Sequence, residues 1–136
     1  MTAVTDSIGR RVVLVVDDES PIRDLFARVL EFGGLVPALA DNAESALGLI
    51  NSGLMPDAIL LDLLMPGMGG LGFLLQLRSD PRYAHIPVAI VTGDFLITNP
   101  MRDAVEALNA EIHFKPLEID GILALTFRLL EVSPTN

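Results

Sequence analysis

The chain contains no cysteine and no tryptophan, only one lysine, and no apolar run of the roughly 18 residues that a membrane-spanning helix needs. Without cysteine, disulfides, thiolate chemistry and sulfur-ligated zinc are excluded. Two histidines are too few for a histidine-rich metal site, so any metal must be held by oxygen. The short polar N-terminus does not resemble a signal sequence, and we expect a soluble, cytoplasmic protein.

The charge balance is acidic, with nine Lys and Arg residues against eighteen Asp and Glu and a formal net charge of -9. Clustered basic residues, which bind nucleic acid and anionic membranes, are missing, and we expect neither direct nucleic-acid binding nor membrane binding. Hydrophobic residues make up 51% of the 136, enough for a sizeable core. We therefore predict a single domain over residues 1–136, with its core at about 10–131 and short polar ends.

Apolar strand segments alternate with amphipathic helix segments along the chain. Residues 12–16 form an unbroken β-branched and leucine run, typical of a strand buried on both faces. Ser20 and Pro21 then predict a helix start with Ser20 as the cap, and Gly33-Gly34 predicts its end. Further strands are predicted at 35–40, 58–61, 88–91 and 112–114, and further helices at 43–51, 71–78, 100–108 and 119–130. Five such units predict an α/β doubly wound parallel sheet with helices on both faces.

Side chains that follow parallel strands gather at one edge of the sheet, where ligands bind in such folds. The residues at these strand ends are Asp17, Asp18 and Glu19, then Asp62, Thr92, and finally Lys115 with Pro116. Crowded carboxylates repel one another unless a proton or a cation intervenes, and an oxygen-only set favours Mg²⁺. The single lysine, against eight arginines, indicates a position that requires a compact positive charge.

Each of these acids also has a purely structural interpretation. An aspartate after a strand often caps a helix or closes a turn, and one of Asp17, Asp18 and Glu19 fits that role before Ser20. Asp62 is different, because it lies inside an apolar segment where burial without a partner would be costly. We therefore interpret Asp62 as functional.

Four motifs occur in a fixed order on this α/β pattern: Val15-Val16-Asp17-Asp18-Glu19, Asp62 followed by Met65-Pro66-Gly67-Met68-Gly69-Gly70-Leu71, Thr92-Gly93, and Lys115-Pro116. Together they resemble a response-regulator receiver domain, like the single-domain regulator of chemotaxis, over essentially the whole chain. The resemblance implies a flavodoxin-like (βα)5 fold whose five-stranded parallel sheet has the strand order 2-1-3-4-5.

The resemblance also implies a two-component phosphorylation site. Asp62 would accept a phosphoryl group from a histidine kinase or phosphotransfer protein in a Mg²⁺-dependent reaction. Thr92 would donate a hydrogen bond to that group and Lys115 would supply positive charge. Asp17, Asp18 and Asp62 would hold the metal, together with the backbone carbonyl of Leu64.

The family further implies a cis peptide bond before Pro116 and a signal carried by binding. The phosphorylated chain would engage a downstream protein, or a second copy of itself, through its fourth helix, fifth strand and fifth helix. It would not be an enzyme, apart from catalysing its own phosphorylation and slow dephosphorylation. In a longer native chain, an output or kinase domain would follow Asn136.

One position departs from the family pattern near the acceptor. Leu64, two residues after Asp62, stands where the side chain commonly contacts the attacking water, and leucine cannot hydrogen-bond to it. We therefore predict slow dephosphorylation, with Asp94 as an alternative group to orient the water or as a simple loop residue.

The signalling positions depart as well, because Ile112 replaces an aromatic residue that family members often carry there. The loop after Thr92 holds the apolar residues Phe95, Leu96 and Ile97. One interpretation is that Phe95 replaces the missing signalling contact, or that the three residues dock a partner or a second copy. The other is that they fold back onto the helix that starts near Pro100.

Other functions compete with this prediction. A degenerate receiver would serve as a phosphate-independent scaffold, and a Mg²⁺-dependent phosphatase of the haloacid-dehalogenase type would need a second aspartate where Leu64 stands. Residues 67–72 match the dinucleotide-binding pattern G-x-G-x-x-G, but they follow the third strand rather than opening the first βαβ unit. We rank all three competing functions below the phosphorylated receiver.

Overall fold

The computed structural model describes residues 9–93 and 97–132. Strands and helices alternate from the start of this region to its end. The strands are β1 (Val12–Val16), β2 (Val36–Ala40), β3 (Ala58–Leu61), β4 (Val88–Thr92) and β5 (Ala110–Phe114). The helices are α1 (Ser20–Phe32), α2 (Ala43–Asn51), α3 (Gly69–Ser79), α4 (Asn99–Ala107) and α5 (Ile119–Val132).

The five strands form one parallel sheet in the order β2-β1-β3-β4-β5, as predicted. The three inner strands are buried at every residue, whereas β2 and β5 at the edges are partly exposed. This explains why β1, β3 and β4 are continuous apolar runs in the sequence. The predicted α/β doubly wound fold is confirmed.

Helices cover both faces of the sheet and divide the core into two clusters. On one face, α1 and α5 pack their buried residues, among them Phe26, Leu30, Ile122 and Leu129, against the sheet. On the other face, α2, α3 and α4 do the same with residues that include Ile50, Phe73, Leu74 and Val105. Because the helices cover both faces, the carboxyl ends of the strands are the part of the sheet that is left to form a site. No helix within the described ranges is long and apolar enough to cross a membrane.

The start of α1 differs from the prediction. Ser20 is the first helical residue and not the cap, and the N-cap position is held by Glu19 in an extended conformation. The Glu19 side chain makes no capping hydrogen bond. Pro21 falls in the first turn, where its missing N–H costs nothing.

Two other elements begin two residues earlier than predicted. The helix α3 begins at Gly69 rather than at residue 71, because packing outweighs the low helix propensity of a glycine pair. The strand β5 begins at Ala110 rather than at residue 112, because Asn109, at φ 58°, turns the chain and Ala110 already pairs with Val88. The polar Glu111 hid this start, since an edge strand tolerates polar residues on its exposed side.

Candidate functional site

Backbone hydrogen bonds hold the strand-end residues in place. The amide of Asp17 donates to Ala40 O at 3.1 Å, and that of Asp62 donates to Val16 O at 2.9 Å. On the other side, the amide of Lys115 donates to Thr92 O at 2.8 Å. The sheet ladder therefore extends into the site, which gives the functional side chains a rigid base.

Lys115 is the centre of the charge arrangement. Its Nζ lies 2.8 Å from Asp17 Oδ2, 3.2 Å from Glu19 Oε1 and 3.4 Å from Asp62 Oδ2. Burial by itself lowers the pKa of Lys115, but the hydrogen bond to Asp17 and the charges of Asp62 and Asp17 outweigh it and the pKa is raised. The lysine therefore stays charged where it contacts three carboxylates.

The carboxylate of Asp62 is buried, with 6% of the residue exposed. Its Oδ1 accepts a hydrogen bond from the amide of Leu64 at 3.3 Å, and its Oδ2 faces Lys115. Burial raises the pKa of Asp62, the positive charge of Lys115 lowers it, and the nearby Asp17 raises it again, so that the pKa lies above its ordinary value. The arrangement leaves an excess of negative charge that a further cation would relieve.

Three carboxylates converge beside this lysine. Asp17, Asp18 and Asp62 each offer an oxygen, and these oxygens all lie within 4.8 Å of one another. Asp17 and Asp62 are buried and Asp18 is exposed, while Asp17 also accepts a hydrogen bond from the amide of Glu19 at 2.9 Å. This hard, oxygen-only donor set fits Mg²⁺, which usually takes one or two carboxylates and keeps several waters.

The site opens to solvent through a pocket of about 420 Å³. Its lining residues come from four strand ends and are Asp18, Glu19, Asp62, Leu64, Thr92, Gly93 and Lys115. Thr92 is fully buried at the base, whereas Leu64 is 53% exposed. The pocket thus offers a carboxylate, a hydroxyl and an ammonium group to one small ligand.

Only some of the residues predicted to act in signalling or in dephosphorylation lie among the described residues. Asp94, Phe95 and Leu96 lie outside the described residues. Ile97 and Ile112 are both partly buried and pack against the core cluster on the face of α2, α3 and α4. The peptide bond between Lys115 and Pro116 is cis, as the resemblance implies.

Two features of the site region were not predicted. Glu19 was recognised only as part of an acidic run, and its contact with Lys115 has no local signal because 96 residues separate the two. The Arg102 guanidinium of α4 lies 6.0 Å from the ring centroid of Phe114 in β5. An aromatic residue therefore does occupy β5, two positions after Ile112 and directly before Lys115.

Comparison with known proteins identifies the family. The family model of the response regulator receiver domain matches residues 13–126, which run from the second residue of β1 into the middle of α5. The chain therefore belongs to the response regulator receiver domain family. Receiver domains are signalling modules of two-component systems and interact with histidine kinases.

Individual relatives agree with this assignment. Over 83 residues, the chain is 40% identical to the phosphate regulon transcriptional regulatory protein PhoB of Escherichia coli, which covers 61% of this chain and 36% of PhoB. It is 34% identical over 125 residues to the DNA-binding transcriptional regulator NtrC of Salmonella typhimurium, covering 89% of this chain and 25% of NtrC. The chain thus spans about a third or less of these two curated relatives.

A solved structure matches at full length. The chemotaxis protein CheY4 of Vibrio cholerae superimposes with a TM-score of 0.80 at 25% sequence identity. The match covers 89% of this chain and 99% of CheY4. The same arrangement of strands and helices therefore occurs in CheY4.

Proposed function

We propose that this chain accepts a phosphoryl group on Asp62 from the phosphohistidine of a kinase or phosphotransfer protein. The observation that carries the proposal is the buried Asp62 carboxylate, which faces a solvent-open pocket 3.4 Å from the only lysine of the chain. A buried carboxylate that is only partly neutralised destabilises the fold, and such groups are concentrated at functional sites. The family assignment and the geometry support the same reaction.

In this reaction a carboxylate oxygen of Asp62 attacks phosphorus. A P–O bond forms and the P–N bond to the donor histidine breaks, and the electron pair of that bond stays on the imidazole nitrogen, which takes up a proton. Lys115 stabilises the negative charge of the transferred oxygens, and the Thr92 hydroxyl donates a hydrogen bond to the new phosphoryl group. Little else is required of the protein, since phosphoryl transfer depends mainly on positioning and charge.

The carboxylates of Asp17, Asp18 and Asp62, with the backbone carbonyl of Leu64, are the groups that would hold Mg²⁺. Bound there, the metal supplies positive charge that offsets the negative charge of the acceptor and of the phosphoryl oxygens. Removal of any one of the three carboxylates is expected to weaken metal binding.

The output of the reaction is a change in protein binding. Along the chain, α4 is the next element after Thr92, and β5 ends directly before Lys115. The surface formed by α4, β5 and α5 is therefore connected to the site. Phe114 and Arg102 lie on this surface. We propose that this surface binds a downstream protein or a second copy. That the chain does not bind nucleic acid directly stays a prediction, because PhoB and NtrC, which are longer, are named as transcriptional regulators.

Intact-mass spectrometry after incubation with acetyl phosphate, with and without Mg²⁺, tests the proposal. One phosphoryl adduct that requires Mg²⁺ and is lost in Asp62→Asn is the expected result. Asp57→Asn is the matched control, because burial also raises the pKa of Asp57 but this residue lies away from the pocket. A folded native chain that forms no adduct with acetyl phosphate, with phosphoramidate or with a phosphorylated histidine phosphotransfer protein would overturn the proposal and favour a phosphate-independent scaffold.

A further inference from the structure

The side chain of Glu19 contacts Lys115 instead of capping the helix at whose start it lies. Glu19 is the N-cap residue of α1, a position where Ser, Thr, Asp or Asn stabilises a helix by accepting a backbone hydrogen bond. Glu19 makes no such bond, and its Oε1 lies instead 3.2 Å from Lys115 Nζ. The helix therefore lacks a side-chain cap while the carboxylate contacts the lysine of the phosphorylation site.

Glu19 is also the most exposed of the three carboxylates around Lys115. Its side chain is 61% exposed, whereas those of Asp17 and Asp62 are 5% and 6% exposed. It lines the pocket, so a donor that enters from solvent passes close to its charge.

The charge of Glu19, unlike the charges of the neighbouring acids, would not be offset by a metal ion bound at the carboxylate cluster. The three carboxylates that cluster closely enough to share a metal ion are Asp17, Asp18 and Asp62, and Glu19 is not one of them. A bound divalent cation would offset the cluster, whereas the Glu19 charge would remain at the pocket and compete with phosphoryl oxygens for Lys115.

We propose that Glu19 is a specificity-determining residue that disfavours small, highly anionic phosphodonors at this site. The inference rests on the proposed function, since it concerns which donors reach Asp62. The Glu19 carboxylate repels a donor in proportion to the donor's negative charge and holds Lys115 until a phosphoryl group replaces it. A protein donor, which is positioned by its own docking contacts, is less affected by this repulsion.

The charge dependence can be measured with two small donors. Acetyl phosphate carries more negative charge at neutral pH than phosphoramidate, whose nitrogen is protonated. At low ionic strength, Glu19→Gln is expected to increase the rate with acetyl phosphate about two- to fivefold relative to phosphoramidate, the size of a solvent-exposed charge effect. The increase should shrink toward onefold at high salt, because screening removes the repulsion.

Glu31→Gln is the matched control. Glu31 is exposed on the same helix and carries the same charge, but it lies about 18 Å further along the helix axis. Glu31→Gln should leave the ratio of the two donor rates unchanged. Equal ratios in the two variants would overturn the proposal, as would an increase in Glu19→Gln that persists at high salt.

A second measurement does not need phosphorylation. Because the chain has one lysine, labelling with ¹³C-lysine yields a single Cε signal, and the shift of this signal reports the carboxylates that contact Nζ. Glu19→Gln should move it and Glu31→Gln should not, whereas an unmoved signal in Glu19→Gln would overturn the contact and with it the proposal. A native chain that no donor phosphorylates would instead overturn the proposed function itself, even if the signal moves.

Discussion

Lys115 pairs more closely with Asp17 than with Asp62: its Nζ lies 2.8 Å from Asp17 Oδ2 and 3.4 Å from Asp62 Oδ2. Asp17 belongs to the carboxylate cluster that fits a metal ion, so the lysine and the metal are drawn to the same group. The lysine thereby partly neutralises the carboxylate cluster and keeps two buried carboxylates compatible with folding. Binding of a cation is expected to compete with this pairing.

Replacing Lys115 by Met should therefore have opposite effects on metal binding and on phosphorylation. We expect the Mg²⁺ affinity, measured by titration calorimetry, to rise about fivefold because a competing positive charge is removed. The phosphorylation rate should fall about a hundredfold because the transferred oxygens lose a charged donor. Lys115→Arg is the control: it retains the charge, so the Mg²⁺ affinity should stay near the native value, and a large rise in this variant would contradict the electrostatic explanation.

Replacing Leu64 by Asn should shorten the lifetime of the phosphorylated chain. Leu64 is exposed at the pocket and cannot hydrogen-bond to a water that approaches the phosphoryl group, whereas an amide can. One such hydrogen bond is expected to speed hydrolysis about two- to tenfold, as followed by decay of the phosphoryl adduct. Leu75→Asn is the control, since Leu75 is equally exposed but lies on α3 outside the pocket. Equal decay rates in the two variants would refute this role of Leu64.

Gly70 should be intolerant of even one added methyl group. A Cβ at this position would lie 2.3 Å from Asp62 O and 2.8 Å from Leu63 Cα, both of which belong to the backbone. Gly70→Ala is expected to lower the free energy of unfolding by about 2 to 3 kcal/mol, as overpacking of a buried site does. Chemical denaturation of the purified variants measures the effect.

The control for Gly70 is a glycine in open space. A Cβ at Gly48 of α2 would have no atom within 4 Å, so Gly48→Ala should raise the free energy of unfolding by about 0.5 to 1 kcal/mol through helix propensity. If the two substitutions changed the free energy of unfolding similarly, the close approach to the Asp62 backbone would not be what excludes a side chain at position 70.

Glu111 should stabilise the fold in a pH-dependent way. Its carboxylate accepts two hydrogen bonds from Arg128, one of them at 2.6 Å. Its Oε1 also lies 2.9 Å from His113 Nε2. The hydrogen bond from Arg128 lowers the pKa of Glu111 from 4.5 to about 2, although partial burial opposes the shift. Because the folded-state pKa lies below the ordinary value, the stabilisation is present above pH 4.5 and is lost as the pH falls towards 2.

Thermal unfolding of Glu111→Gln across this range tests the expectation. The side chain is 40% exposed, so we expect the variant to be less stable by only about 0.5 to 1 kcal/mol at pH 7. The difference should vanish near pH 2. Arg128→Gln should show the same convergence, and a difference that is constant with pH would contradict the ionic origin.

The sequence predicted most of the fold because its elements are encoded locally. β1 and β3 were predicted at their exact limits, since strands buried on both faces are continuous apolar runs. The edge strand β5 and the glycine-rich start of α3 were predicted too short, because pairing with Val88 and packing against Asp62 override the local composition there. Composition predicts Ser20 as the cap of α1, whereas Glu19 holds that position and its side chain contacts Lys115 instead of capping the helix.

Composition and order alone determined that this chain forms an α/β domain with an acidic, oxygen-only site beside its single lysine, because residue types and strand periodicity depend on short stretches of sequence. Only the tertiary structure decided how that lysine divides its contacts, that Glu19 joins them, and that Phe114 lies against Arg102. These relationships depend on sheet order and register, which bring together side chains from strands far apart along the chain.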